Sequence, residues 1–501
     1  MNGFLRTAIE RSNHLAVVCE TEELTYRELD ERSSALATVI ADAGVHAGDR
    51  IALMLPNCIE FIEASAASAK LGVAVLTINW HLRPEELAWI LADSSPTALV
   101  AHQDFEAIVK QSASADLPVI WVGGDYEPRL RHAAETHPVV DYQWPTSWPV
   151  IYTSGTSGRP KGVIHPALAV PETMEMAQDG LIALWGYSET DVHLVAGPLY
   201  HAGPAGYCNT TLYCGATVVL MDRWDPREFL RLVQTHRVTT TFLTPAHFIR
   251  LLEIPAEEFA AFDLSSLRHV LHAGAPCASA IKERIIGALP HAEIWELYGM
   301  SEGGATRVSA EEWLQRPGTV GLPWPGVDVR ILDPETREPL PIGVDGLIYV
   351  KPPYGRFRYH NDDAKTADAW HDDAFTVGDI GHLDSDGYLY LTDRLVDMVI
   401  RAGVNIYPRE VEEVLHRHPA VVDCAVFGVP DDRDGERLKA VIETRSPTTT
   451  KDLESWCTEH LDHFKVPSTF ELCDALPRDP NGKVLKRLLR DPEWETAGRV
   501  I

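Results

Sequence analysis

The stretch Ser154–Gly162 (SGTSGRPKG) is dense in small and hydroxyl-bearing residues, and Trp148–Thr153 (WPVIYT), which reads as a buried strand, runs into it. Gly155 and Gly158 let backbone N–H groups approach and point at an anion. Thr153, Ser154, Thr156 and Ser157 add hydroxyl donors. Lys161 adds a point charge suited to the β- and γ-phosphates of a nucleotide. The stretch is not a Walker A loop, because that pattern requires Gly-Lys-Ser/Thr and here Pro160 precedes Lys161. A Gly/Ser-rich turn by itself would equally suit a plain surface loop. The full string YTSGTSGRPKGV is far more specific.

That string resembles the phosphate loop of the adenylate-forming superfamily, which includes acyl-CoA synthetases, aryl-CoA ligases, luciferases and peptide-synthetase adenylation domains. Further motifs follow in the superfamily's order. Pro198–Gly203 (PLYHAG) is similar to the aromatic-histidine motif at the acyl pocket, and Gly274–Pro276 (Gly274, Ala275, Pro276) to the segment bordering adenine. Tyr298–Glu302 (YGMSE) is similar to Y-G-x-T-E, with Ser301 in place of threonine. Val377–Ile380 (VGDI) stands for the aspartate motif, Asp393–Arg394 for the arginine before the inter-domain hinge, and Pro477–Lys483 (PRDPNGK) for the C-terminal lysine motif.

The resemblance implies ATP and Mg²⁺ as cofactors, and each assignment is chemically apt. Asp379, expected in a loop after a strand, can accept both ribose hydroxyls through its two oxygens. Arg394 offers a forked donor to ribose or phosphate. Glu302 supplies a hard oxygen to Mg²⁺, which needs few protein carboxylates when phosphates complete its shell. Tyr298 and Gly299 border the adenine, with the tyrosine available to stack, and Ser301 can bond the α-phosphate. Lys483 carries the chemistry: attack of a carboxylate on the α-phosphorus builds negative charge that a mobile cation stabilises. No acid–base pair is required, since the attacking carboxylate is already ionised at neutral pH. His201 sits where the superfamily places a histidine beside the acyl pocket, to gate carboxylate or thiol access. Pocket candidates are Tyr200, Tyr207, Phe242, Thr244, His272, Ala273 and Met300, whose mixed polarity suits an aromatic or medium-length acid.

The departures from the superfamily bear on the acceptor. Val396 occupies the hinge position where Asp or Lys is usual, and Ala402 replaces a glycine in Arg401–Asn405 (RAGVN). Aryl-CoA ligases of this pattern place an aromatic residue near Asp434 and an arginine near His81 against CoA. Neither is present, though Arg83 and Lys465 lie close in sequence. No aspartate near Tyr200–Tyr207 could anchor an α-amino group, which disfavours an amino acid. CoA is the implied second substrate. A carrier-protein thiol, an amine, or an oxyacid such as nitrite in the diazotisation of an aromatic amine stays open. A non-catalytic nucleotide-binding scaffold is the rival outside catalysis, and the intact Lys161, Glu302, Asp379, Arg394 and Lys483 argue against it.

The elements that must position these residues are consistent with this reading. A chain of 501 residues exceeds one ordinary core. Strand-like and helix-like segments alternate, as in Asp49–Leu55, Phe61–Ala69 and Val73–Ile78, which predicts an α/β fold with largely parallel sheets. The boundary is expected at 393/394: a large N-terminal AMP-binding domain over 1–393, and a small mobile C-terminal α/β domain over 394–501. In the latter, a helix is expected over Pro408–Leu415 and a strand over Val421–Val429. The net charge of −29 excludes non-specific nucleic-acid binding. No apolar run reaches the roughly 20 residues of a membrane span. Met1–Glu10 lacks a basic region followed by an apolar run, so a cytoplasmic location is expected. The eight cysteines show no C-x-x-C spacing and read as reduced thiols. The expected partners are a small-molecule acid and, under one alternative, a carrier protein; a homodimer stays open.

Overall fold

The structure, a computed structural model, describes residues 3–136, 150–153, 160–479 and 482–497. Residues 154–159 of the phosphate loop, and with them Ser154, Gly155, Thr156, Ser157 and Gly158, lie outside the described residues, as do 148–149 and 480–481.

In the largest sheet, inside the edge strand Glu22–Thr25, parallel strands run in the order Leu15–Cys19, Thr217–Leu220, Val192–Val195, Thr240–Leu243, His269–His272 and Glu293–Met300. Their apolar runs are buried on both faces, as in Thr217–Leu220 (TVVL), because helices cover the sheet on either side. One of these helices, Pro226–His236, starts where Asp225 accepts from the N–H groups of Arg227 and Glu228 and Pro226 takes the first turn. A second sheet, Ala74–Thr77, Arg50–Met54, Ala98–His102 and Val119–Val122, is parallel throughout. The helix between its first two strands in sequence spans Ile59–Lys70, close to the expected run.

The expectation of largely parallel sheets holds for these strands; it fails for the hairpin of Leu15–Cys19 with Glu22–Thr25, for the pair Ile151–Thr153 and Lys161–Ile164, and throughout the sheet beyond Met300. Glu293–Met300 pairs antiparallel with Gly303–Ser309, and antiparallel pairing continues through Thr319–Pro323, Leu389–Arg394 and Asp379–Leu383 to Gly346–Lys351. The connections explain this. Two residues separate Met300 from Gly303 and five separate Leu383 from Leu389, too few for a crossover helix. The segment from Val399 onward builds a separate sheet, in which Val421–Asp431 and Gly435–Thr444 pair antiparallel and Gly435–Thr444 pairs parallel with Thr469–Cys473. Helix Pro408–His416 packs on it through Val411 and Leu415.

This last sheet rests on the rest of the chain. Val422 is buried among Phe248, Ile281 and Ile285. The Ser279 N–H donates to Glu413 Oε2 at 3.1 Å, and Arg250 Nη2 lies 3.2 Å from Glu443 Oε1. Ala402, where the superfamily has glycine, sits at φ +49°, a left-handed conformation that costs an L-residue of order 1 kcal/mol. All eight cysteines are unpaired, with Cys208, Cys277, Cys424 and Cys457 buried. Among the described residues, no helix is long and apolar enough to cross a membrane.

Candidate active site

A cavity of about 1290 Å³ opens beyond the carboxyl ends of the parallel strands, where ligands bind in open α/β sheets. Thr244 follows Thr240–Leu243, Ala273 and Gly274 follow His269–His272, and Tyr298–Glu302 leaves Glu293–Met300, so each strand delivers its loop to the same opening. Thr153, Lys161 and Arg394 line it from the antiparallel side, and Lys483 enters from the C-terminal unit.

At one end, Asp379 is the hub. Tyr298 Oη donates to its Oδ2 at 2.7 Å and Arg394 Nε to its Oδ1 at 3.1 Å. Asp379 begins strand Asp379–Leu383 rather than sitting in a loop after one, because the left-handed Gly378 (φ +88°) turns the chain just before it. Burial, then the adjacent Asp379 carboxylate, raises the Tyr298 phenol well above its usual range. Lys483 faces this group. Burial, then the Arg394 guanidinium, lowers its ammonium below the ordinary lysine range, while Asp479 and Asp379 pull the other way. The lysine loop is braced: the Lys483 N–H donates to Asp479 Oδ1 at 2.9 Å, and Arg478 is paired with Asp423 at 2.7 Å and Glu443 at 3.1 Å.

At the other end, Tyr359 Oη donates to Glu302 Oε1 at 2.8 Å, and Lys161 Nζ stands 5.3 Å from the centre of the Tyr359 ring. Burial, then Lys365, pushes the Lys161 ammonium down to about 8. No cluster of three or more His, Cys, Asp or Glu with metal-holding geometry occurs among the described residues. One carboxylate on a polyphosphate-sized cavity fits a cation held chiefly by its substrate's phosphates. The imidazole of His165 donates from Nε2 to the Ser301 carbonyl at 2.7 Å, which fixes the Y-G-M-S-E turn.

Tyr200 and His201 also line the cavity, the latter just before helix Ala202–Cys214. Tyr200 Oη and His201 Nε2 are buried with no hydrogen-bond partner among the described residues. Burial, then His81, lowers His201 to about 4, so its imidazole is neutral near pH 7. A further arm of the cavity carries no charge. Tyr207 and Phe242 stack at 5.4 Å, and Gly203 lies under the Phe242 ring so closely that a Cβ there would stand 2.6 Å from it. Gly206, one turn on, has nothing within 4 Å of where its Cβ would be.

Tyr200, Tyr207, Phe242, Thr244, Ala273, Gly274, Gly299, Met300 and Ser301 all line the cavity. His272 does not: it is fully buried, edge-on to Phe248 at 4.9 Å and beside the Lys282–Glu296 pair. Alternation along the strand sends it to the opposite face from Ala273. Ala275 and Pro276 also lie off the cavity wall, past the turn at Gly274 (φ +89°). The sequence reading missed Tyr359, Lys365, Arg478 and Asp479 as cavity residues. The last two stand inside the lysine motif Pro477–Lys483 and were within reach. Tyr359 and Lys365 stand in FRYHNDDAKT, which has no spacing that signals an anion.

Residues 4–358 match the AMP-binding enzyme family and residues 410–483 its C-terminal domain. The chain belongs to the AMP-binding enzymes. This AMP-binding enzyme is 34% identical over 472 residues to a feruloyl-CoA synthase of an Amycolatopsis species, covering 93% of each chain. It is 32% identical over 499 residues to the fatty acid–[acyl-carrier-protein] ligase ScoC of Streptomyces coeruleorubidus, covering 97% of this chain and 95% of that one. Its fold superimposes on the ATP-bound crystal structure of MatB from Rhodopseudomonas palustris with a TM-score of 0.85, at 28% identity and covering 98% of this chain and 99% of that one.

Proposed function

We propose that this AMP-binding enzyme joins ATP to an uncharged-tailed carboxylic acid, aromatic or of medium length, and then passes the acyl group to CoA. A carboxylate oxygen attacks the α-phosphorus, the bond to pyrophosphate breaks, and an acyl-adenylate forms. Attack of the thiol sulfur on the acyl carbon then expels AMP, and the thiol proton leaves to solvent. The observation that carries this reading is the convergence of Lys483, from the C-terminal unit, on the Tyr298–Asp379–Arg394 group at the mouth of an uncharged arm. Asp379 and Arg394 hold the ribose and its phosphate, Lys161 the outer phosphates, and Glu302 a Mg²⁺ ion. That ion would neutralise charge on the phosphate oxygens. The neutral His201 is a gate between the arm and the acceptor, not a source of charge.

The carrier-protein reading has one observation in its favour. Of the two cations nearest to a CoA clamp in sequence, Lys465 is engaged with Glu410 at 2.7 Å, while Arg83 stays largely exposed beside Glu86. Pyrophosphate release by purified protein with ATP, Mg²⁺ and a panel of acids tests adenylation. Product mass with and without CoA separates a thioester from free adenylate, an amide or an oxyacid adduct. Absence of any CoA thioester, with pyrophosphate still released, would overturn the acceptor and keep the adenylation.

The open space at Gly206 sets the depth of the acyl arm. Gly206→Leu places a branched side chain there, and kcat/KM is expected to shift toward the smaller of two homologous acids by roughly tenfold, the value of a methylene or two in an apolar pocket. An unchanged ratio across the panel would place the acid elsewhere.

We further propose that the chain divides at 393/394 and that the C-terminal unit swings between the two half-reactions. Val396 lies in the short 3₁₀ turn Leu395–Asp397, is 55% exposed, and is free to absorb backbone rotation. Val396→Pro fixes φ and disfavours the helical conformation of Leu395 before it. It is expected to spare pyrophosphate release and to lower final product several-fold, read in the same sample. Equal loss of both would mark the position as merely structural.

A further inference from the structure

The carboxylate of Glu443 stands between two arginines from different parts of the chain. Glu443 lies on strand Gly435–Thr444 and is buried. Its Oε2 accepts from Arg478 Nη2 at 3.1 Å and from the Leu476 N–H at 3.3 Å. Arg478 in turn donates from Nη1 to the Gly482 carbonyl at 3.0 Å, the peptide that leads into Lys483. The other oxygen of Glu443, Oε1, lies 3.2 Å from Nη2 of Arg250. Arg250 stands on helix Pro245–Leu251, which follows Thr244 on the cavity wall and is anchored in the core by Phe248, Ile249 and Leu251. A firmly packed element of the large unit is thus joined, through one carboxylate and one guanidinium, to the backbone beside the lysine.

Both ends of the Arg250–Glu443 contact also have a partner in their own unit. Arg250 Nη1 donates to Glu253 Oε2 at 3.0 Å, three residues along the chain. Glu443 keeps Arg478 and the Leu476 N–H. Breaking a buried ion pair ordinarily leaves a charge without a partner, at a heavy cost. Here the two units can separate while every charge of the contact stays paired. The Arg250 side chain is 36% exposed, so the attraction is that of a partly solvated pair, modest enough to be broken in each turnover. Neither Arg250 nor Glu443 lines the cavity.

We propose that Arg250 is a latch: by pairing with Glu443 it holds the C-terminal unit, and through Arg478 the backbone at Lys483, in the orientation that forms the adenylate, and it falls back on Glu253 when that unit swings away. Arg250 is a positioning residue, acting on the lysine and not on the nucleotide. The latch rests on the swing proposed above and adds the residues that time it.

The test separates the half-reactions in the full chain. Pyrophosphate release is measured in a single turnover with ATP, Mg²⁺ and the fastest acid of the panel above. CoA is then added to the adenylate formed, and the thioester is followed. Arg250→Gln is expected to slow adenylate formation about threefold to fivefold, the value of one partly exposed ion pair, with ATP affinity within about twofold and transfer to CoA not slowed. Arg250→Lys is expected to restore most of the loss. Glu253→Gln, which weakens the partner that receives Arg250 on release, is expected to act in the opposite sense, keeping adenylation and slowing transfer about twofold. Thermal melting of each variant accompanies the rates. Equal slowing of both half-reactions in Arg250→Gln would mark a contact that merely supports the fold and would overturn the latch, as would an unchanged adenylation rate. Slowing of adenylation, and not of transfer, in Glu253→Gln would overturn the release. Val396→Pro judges the swing separately. If it leaves both half-reactions untouched, the swing itself falls, whereas a silent Arg250→Gln beside a transfer-defective Val396→Pro removes the latch and leaves the swing.

Discussion

Lys483→Ala is expected to slow acyl-adenylate formation by roughly 10²–10³-fold, the usual cost of removing one preorganised group that stabilises transition-state charge. The cavity geometry supports the upper part of that range. Lys483 lies half-buried on the cavity wall, and the loop that carries it is braced by Asp479 and, through Arg478, by Asp423 and Glu443. None of those bonds uses the ammonium, so the loop should keep its shape in the variant. ATP affinity should change by less than about threefold, because the ribose and outer-phosphate contacts stay. Single-turnover formation of the adenylate, with ATP binding measured separately, distinguishes the two effects. A wild-type rate in the variant would remove Lys483 from the chemistry.

The second large effect is expected at Asp379. Its two oxygens already accept from Tyr298 and Arg394. Asparagine keeps the shape, and its amide can still donate to the Tyr298 oxygen, but it removes the negative charge that Arg394 faces and one of the two acceptors open to the ribose. Losing the charge opposite Arg394 would cost about 1.5–3 kcal/mol in a buried site and less here, where the arginine side chain is 40% exposed, so ATP affinity is expected to fall roughly tenfold in Asp379→Asn. Part of this loss should reach the nucleotide through Arg394, which would lose its anchor. Titration with ATP and 2′-deoxy-ATP separates the two routes. If Asp379 holds the ribose, the wild type discriminates between them and the variant does not. An unchanged penalty for the deoxy nucleotide, with weakened binding of both, would leave Asp379 as a positioning residue for Arg394 alone.

The sequence made the motif-bearing part of the site legible because that chemistry is local. Tyr298–Glu302, Asp379, Arg394 and Lys483 each sit in a short string whose order along the chain matches the superfamily, and all of them come to one cavity or its immediate wall. Residues without such a string were not legible. Tyr359 and Lys365 reach the cavity only because Arg358–Tyr359 pairs with Lys161–Ile164, a contact between segments about 200 residues apart that no local pattern announces. His272 was misplaced for the converse reason: it adjoins Ala273 and Gly274 in sequence, but a strand sends neighbours to opposite faces. The fold shows the same division. Parallel strands followed by helices were readable from alternation, whereas the antiparallel run from Gly303 to Arg394 depends on short turns, and short apolar segments look alike in either direction.

Gly482 meets helix Pro245–Leu251 so closely that a Cβ on it would stand 2.4 Å from the Cβ of Ala246, and its φ of +81° already lies in the left-handed region. The bareness of the backbone at this one residue therefore sets how far the lysine beside it can descend. With Lys483 acting on the α-phosphate as proposed, its reach is a matter of chain thickness as much as of charge. A single methyl group at either position would act as a shim, holding a fully intact lysine too high above its target. An apparent catalytic defect could thus arise from a variant in which every polar group of the site is present and correctly ionised.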